Sequence, residues 1–212
     1  MAESPTIVLC AGGLRSLVAT AVVLGGNSPQ HVRLLHVQDT RSGVERRLEA
    51  TRRQAQHYKI EQETLATLDR QGPGSPSSKP PRLRRCRLLM AALAHAVELK
   101  ARCLVWPGQF DANHDEVARA TEQLVLVEHL AQIDETDLPS IESPLIDLSD
   151  RQMLELGAQL EVPWELAWSC LLEGERPCMA CPACLRRRNA FEQVALTDPV
   201  QRARGPSRTA VG

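Results

Sequence analysis

Residues 6–16 read TIVLCAGGLRS, and the fold turns on how they are parsed. Thr6-Ile7-Val8-Leu9-Cys10 is a short, β-rich apolar run of strand length. Gly12-Gly13 follows at once, and Leu14 to Leu24 is apolar and Ala-rich until Gly25-Gly26 ends it. The parse is strand, glycine turn, helix. Such a turn leaves backbone N–H groups unsatisfied at the positive end of a helix dipole, an arrangement that suits an anion. The spacing of Ala11-Gly12-Gly13-Leu14-Arg15-Ser16 is neither that of a P-loop nor G-x-G-x-x-G, so taken alone it reads first as a structural turn.

Working outward, His31 to Val37 is a second apolar run and a second strand, and Val44 to Tyr58 has apolar residues at helical spacing. Glu63 to Leu68 reads as a third strand. The order βαβαβ predicts a parallel sheet with helices on both faces. Asp69 to Pro81, DRQGPGSPSSKPP, cannot be a regular element, and its length and composition favour an active-site lid over a plain linker. Arg85 to Leu99 then reads as a helix, Arg102 to Trp106 as a strand and Val117 to His129 as a helix. Ile141 to Ile146 reads as a last strand or extended segment, and Ser149 as the N-cap of a helix to about Leu160 with Asp150 in its first turn. The parsing gives a Rossmann-like unit over 1–162, a four-cysteine subdomain over 163–194 and a flexible tail over 195–212.

The four-cysteine subdomain rests on SCLLEGERPCMACPACLRRRNAF, residues 169–191, which holds four of the seven cysteines. Cys170, Cys178, Cys181 and Cys184 are spaced C-x7-C-x2-C-x2-C. A tetrahedral zinc site needs four thiolates about 2.3 Å from one ion, and a C-x2-C turn brings two sulfurs together. A redox dithiol is the competing reading, but it has no use for two further cysteines. Pro177 and Pro182 favour a tight, non-helical knuckle, and Arg186, Arg187 and Arg188 offer charge to offset the thiolates. No open position for chemistry is evident, so the zinc is read as structural. Cys10, Cys86 and Cys103 read as small buried apolar side chains.

Composition narrows the rest. The chain has 212 residues, a formal charge of -1 and 3% aromatic residues, so nothing global calls for nucleic acid as a partner. No apolar run is long enough to span a bilayer, and the first residues lack the pattern of a secretory signal; with a metal-like cysteine pattern, this points to a reducing cytoplasm. Arg46, Arg47, Arg52 and Arg53 are interleaved with Glu45 and Glu49 and read as a solvated helix face. Arg82, Arg84, Arg85 and Arg87 have no acidic neighbours and form a second candidate for holding phosphate or a partner. His114 lies in an expected loop beyond a strand end, where α/β ligands bind.

Taken together, these residues resemble the 7-cyano-7-deazaguanine synthase family of the queuosine pathway, which belongs to the pyrophosphatase-loop ATP enzymes. Val8 to Ser16 looks like the family's phosphate loop, a strand followed by S-G-G-x-D-S. Ser143-Pro144-Leu145, Val162-Pro163, Trp168-Ser169-Cys170, the three further cysteines, Leu185-Arg186-Arg187 and Ala190-Phe191 follow the family's order. The resemblance covers roughly residues 6 to 192. It implies a fold of the adenine nucleotide alpha-hydrolase type with a small zinc knuckle, and ATP held at Leu9, Cys10, Ala11, Gly12, Gly13, Leu14, Arg15 and Ser16. It places substrate contacts at Arg85, Gly108 and Asp115 and a structural zinc on Cys170, Cys178, Cys181 and Cys184. The implied reaction converts 7-carboxy-7-deazaguanine to the nitrile with ATP, its magnesium and ammonia, in an enzyme that is usually a homodimer.

The departures fall at positions with chemical jobs. Ala11 stands for the loop's first Ser, and Arg15 for an Asp able to hold magnesium. Asp150 stands where the family has a Lys facing the triphosphate, with Arg151 beside it, and the family's Y-G-Q segment has no counterpart in Val37 to Gly43. Together they raise a second expectation: a non-catalytic homologue that keeps fold and zinc and binds a nucleotide or a protein.

Overall fold

The computed structural model describes residues 4–38, 43–66 and 83–202. The lid reading of 69–81, Arg82 and most of the 37–43 segment lie outside the described residues. The strands are β1 (Thr6–Leu9), β2 (Val32–Gln38), β3 (Glu61–Ala66), β4 (Cys103–Val105) and β5 (Ser140–Glu142). Among them run α1 (Leu14–Gly25), α2 (Val44–Tyr58), α3 (Arg84–Glu98), α4 (His114–Ala131), α5 (Asp150–Gln159), α6 (Pro182–Gln193) and α7 (Pro199–Arg202). All strand pairs are parallel, in the order β3-β2-β1-β4-β5. The order reverses between β1 and β4, so a crevice opens beyond the carboxyl ends of these two strands, where ligands of such sheets bind.

Strand alternation divides the core in two. Val8 and Cys10 face α1, α5 and α6, packing with Leu17, Val18, Leu154 and Phe191. Ile7 and Leu9 face α3 and α4, packing with Leu89, Leu93, Leu124 and Val127. Helices therefore cover both faces, as the βαβαβ order requires. A fully buried side chain such as Leu17 or Leu93 contributes about 1.5–3 kcal/mol, which keeps β1 fixed between the layers.

Helix starts follow local chemistry. Ser149 caps α5 in a reciprocal box: its Oγ accepts from Gln152 N at 3.1 Å, and Gln152 Oε1 accepts from Ser149 N at 2.9 Å. Pro182 corrects one expectation. It opens α6 from the first turn, where a missing N–H costs nothing and the fixed φ suits a helix, so the last two cysteines flank a helix start. The stretch read as a flexible tail, 195–212, contains Asp198, buried at 2% exposure, and the short α7; residues 203–212 are outside the described residues. Among the described residues no helix is long and apolar enough to cross a membrane.

Candidate functional site

The glycine turn sits at the carboxyl end of β1. Gly12 adopts φ +69°, and a Cβ there would lie 2.4 Å from Arg47 O, so α2 packs directly on the turn and only glycine fits. The Gly12 carbonyl accepts from Trp168 N at 2.7 Å and from Gln54 Nε2 at 3.2 Å. Ser16 is buried, and its Oγ donates to Gly13 O at 3.0 Å, so the hydroxyl braces the turn. Cys10 is buried against Thr51 and Gln54, and burial pushes its thiol up. Leu9 and Leu14 are core residues; Ala11 is exposed, and Arg15 is exposed as a residue while its guanidinium end is enclosed by the crevice.

A network of long side chains crosses the crevice beside this turn. Arg15 Nη1 donates to Gln109 O at 3.3 Å, while Gln109 Nε2 holds Leu148 O at 2.8 Å. Arg186 grips Asp150 through two parallel bonds of 2.7 Å and reaches Gln109 Oε1 at 2.8 Å. Asp111 Oδ1 accepts from Asp150 N at 2.8 Å. The hydrogen bond to Asp150 raises the Arg186 pKa. Burial and the charge of Arg186 lower that of Arg15, although a guanidinium with any exposure stays charged. An open cavity of about 590 Å³ lies alongside, with Gln109, Phe110, Asn113, Asp150, Arg186 and Asn189 on its walls.

The four cysteines converge as their spacing requires. Their Sγ atoms all lie within 4.8 Å of one another, with Cys178 and Cys184 4.0 Å apart. A tetrahedron with arms of about 2.3 Å has edges of about 3.8 Å, so this set fits a single ion. Backbone amides aim at the sulfurs: Leu172 N and Cys178 N reach Cys170 Sγ at 3.4 Å, and Cys181 N reaches Cys178 Sγ at 3.2 Å. Such donors favour thiolates. Amide bonds from Ala180 and Cys181 lower the Cys178 thiol. Burial raises that of Cys181, but donors including Leu171 outweigh it and bring the thiol to about 6. Cys184 is pushed up by burial and by its neighbouring sulfurs.

The arginines after the cysteines are paired elsewhere. Arg186 holds Asp150, Arg187 holds Asp198, and Arg188 lies 3.7 Å from Glu192 one turn along α6. None faces the sulfurs as a free cation. Arg85 stacks over Trp106 and Phe110, at 5.4 and 4.8 Å from the ring centroids. Gly108 lies against the same indole, since a Cβ there would come within 2.6 Å of the Trp106 ring. Asp115 and His114 are exposed in the first turn of α4, and it is Asn113 and Glu116 that border the cavity. Gln109 and Gln54 were invisible to sequence reasoning, because contacts between residues so far apart leave no local pattern. Trp168 stood out only as part of Trp168-Ser169-Cys170, and Asp150 only as a charge reversal; its partner proves to be Arg186 and not the adjacent Arg151, which pairs with Glu155.

Residues 107–195 match the family described as Queuosine biosynthesis protein QueC. The 7-cyano-7-deazaguanine synthase of Methanothrix thermoacetophila is 29% identical over 221 residues, covering 92% of this chain and 97% of that relative. That of Trichodesmium erythraeum is 42% identical over 107 residues, 50% of this chain and 47% of its own length. Among solved structures, the U34-tRNA thiolase NcsA of Methanococcus maripaludis, described with its 4Fe-4S cluster, shares the fold. Its TM-score is 0.56 at 15% identity, covering 90% of this chain and 67% of that one.

Proposed function

We propose that this chain, which belongs to the 7-cyano-7-deazaguanine synthase family, is an ATP-dependent ligase converting a 7-carboxy-7-deazaguanine-type carboxylate to the nitrile, or to the amide that precedes it, with ammonia. A carboxylate is a poor electrophile; transfer of a phosphoryl or adenylyl group from ATP to it supplies a leaving group that ammonia displaces to give the amide. A second such transfer to the amide oxygen lets that oxygen leave, with loss of the two N–H protons, as the nitrile forms. The protein's share is positioning and charge stabilisation on the phosphates. In this reading the turn at Gly12 and Gly13 receives phosphate, Arg15 supplies charge in place of a magnesium carboxylate, and the adjoining cavity receives the deazapurine. Residues 1–162 form the nucleotide part and 163–194 the metal-bearing part.

The observation that carries this reading is the hydrogen bond from Trp168 N to Gly12 O, which joins the cysteine segment directly to the glycine turn. The metal is proposed to be zinc: the compact sulfur set matches one tetrahedral ion, whereas an iron–sulfur cluster needs its thiolates spread around a larger inorganic core. Zinc would serve there as a structural tie for the segment that holds the turn.

A second reading is favoured by Arg186 and Asp150. Their bidentate pair ties up both charges beside the turn, as expected of a homologue that binds a nucleotide or protein without turnover. One experiment separates the two. The zinc-replete protein is assayed for ATP consumption with ammonia, with and without 7-carboxy-7-deazaguanine. Consumption that depends on the deazapurine establishes the ligase. A folded, zinc-loaded protein with no consumption leaves the binding homologue.

A further inference from the structure

Arg187 stands one turn after Cys184 on α6, and its guanidinium is fully used. Nε and Nη2 each donate to Asp198 at 2.8 Å, Nη1 donates to Ala167 O at 2.7 Å and Ser169 Oγ at 3.5 Å, and Nη2 also reaches Trp164 O at 3.0 Å. These contacts engage all the donors an arginine offers. The pair is buried, with side-chain exposures of 6% for Arg187 and 1% for Asp198. Asp198 Oδ1 also accepts from Val200 N at 3.1 Å, which folds the chain back as α7 begins. A void of only about 10 Å³ is lined by Cys170 and Cys184 together with Arg187, Asp198 and Val200. A space of that size holds one water at most.

The two ends of the cysteine set thus meet at one side chain. Arg187 shares a helix with Cys184, and through Ala167 O and Ser169 Oγ it fixes the segment that delivers Cys170. Asp198 fixes Arg187 in turn, and Val200 just after it lines the same void as Cys170 and Cys184. We infer that Asp198 is a positioning residue which, through Arg187, latches the cysteine site shut and sets how fast its metal is lost. This rests on the zinc reading above. Partners that orient metal ligands from outside the coordination sphere act in this way, and losing one typically costs about 10- to 100-fold in metal affinity.

The test is metal release from the zinc-loaded full chain into excess chromogenic chelator, at neutral pH and well below the melting temperature. Asp198→Asn is expected to release zinc about 10- to 100-fold faster than the wild type. Arg188→Gln, which loses only the exposed pair with Glu192 on the same helix, should stay within about twofold. Because Asp198→Asn strands a buried guanidinium, the double variant Arg187→Met/Asp198→Leu replaces the pair with apolar side chains and removes that penalty. It is expected to melt above Asp198→Asn, though below the wild type because Ala167 O and Trp164 O lose their donor, yet to release zinc at the fast rate. Wild-type release from both variants overturns the latch and leaves the zinc reading standing. Fast release from Asp198→Asn that the double variant reverses also overturns it, since the pair then acts through stability alone. A wild-type chain that takes up no zinc overturns both.

Discussion

The cysteine knuckle and the glycine turn are two sites of opposite construction. At the knuckle the working atoms are side-chain sulfurs, and all four are present, converged and supplied with amide donors. At the turn the working atoms belong to the backbone. Gly12 holds a left-handed conformation and packs against α2, and neither depends on the side chains that Ala11 and Arg15 present beside it. A site built from side chains tolerates no substitution, whereas a site built from backbone keeps its shape when its side chains are exchanged.

The strongest way to break that contrast is at the knuckle. Cys181→Ser is expected to abolish stoichiometric zinc uptake, read by metal analysis, and to lower the melting temperature, because binding energy at such a site is folding energy. Next is the turn's backbone. Gly12→Ala places a side chain at φ +69° and into Arg47 O, and should cost at least about 1–3 kcal/mol in denaturant unfolding. Gly13→Ala, whose Cβ meets nothing nearer than Trp168 O at 3.8 Å, should stay within about 0.5 kcal/mol. Equal costs for the two would end the claim that conformation, and not chemistry, is what the turn preserves.

A smaller effect belongs to the side chains around the turn. Asp150→Asn removes the partner of a half-exposed Arg186 and should cost about 1–2 kcal/mol. It also frees that guanidinium, so calorimetry should find ATP bound more tightly than by the wild type; unchanged affinity would separate Arg186 from phosphate binding. The smallest effect lies away from both sites and supplies a baseline. Burial raises the Glu63 carboxyl, but His95 at 2.7 Å and Arg33 at 2.9 Å outweigh it and hold the pKa below the ordinary 4.5. A depressed carboxylate stabilises the fold above its unfolded pKa, and the contribution fades as pH falls through the folded one. The melting-temperature gap between wild type and Glu63→Gln should therefore be present at pH 7 and shrink below about pH 4.5.

Much of this was legible in the sequence for a physical reason. Periodicity and glycine stops are local, so β1, α1, α2 and the cap at Ser149 could be read within a few residues of their bounds. The cysteine spacing was legible because two C-x2-C turns leave few other arrangements for the sulfurs. Pro182 was misjudged because proline suits both a knuckle and a first helical turn, and only packing of Ala190 and Phe191 into the core decides for the helix. The arginines at 186–188 were misread as counter-charges because their partners lie on other elements or farther along the chain. The tie between Arg187 and Asp198 needed the fold itself.

The Gly12 carbonyl is held from one side by the chain entering the cysteines and from the other by α2. For an engineer this makes the turn a fixed socket. The side chains at 11, 15 and 150 can be exchanged for Ser, Asp and Lys with no loop to rebuild, because both grips on the backbone come from residues that the exchange leaves alone.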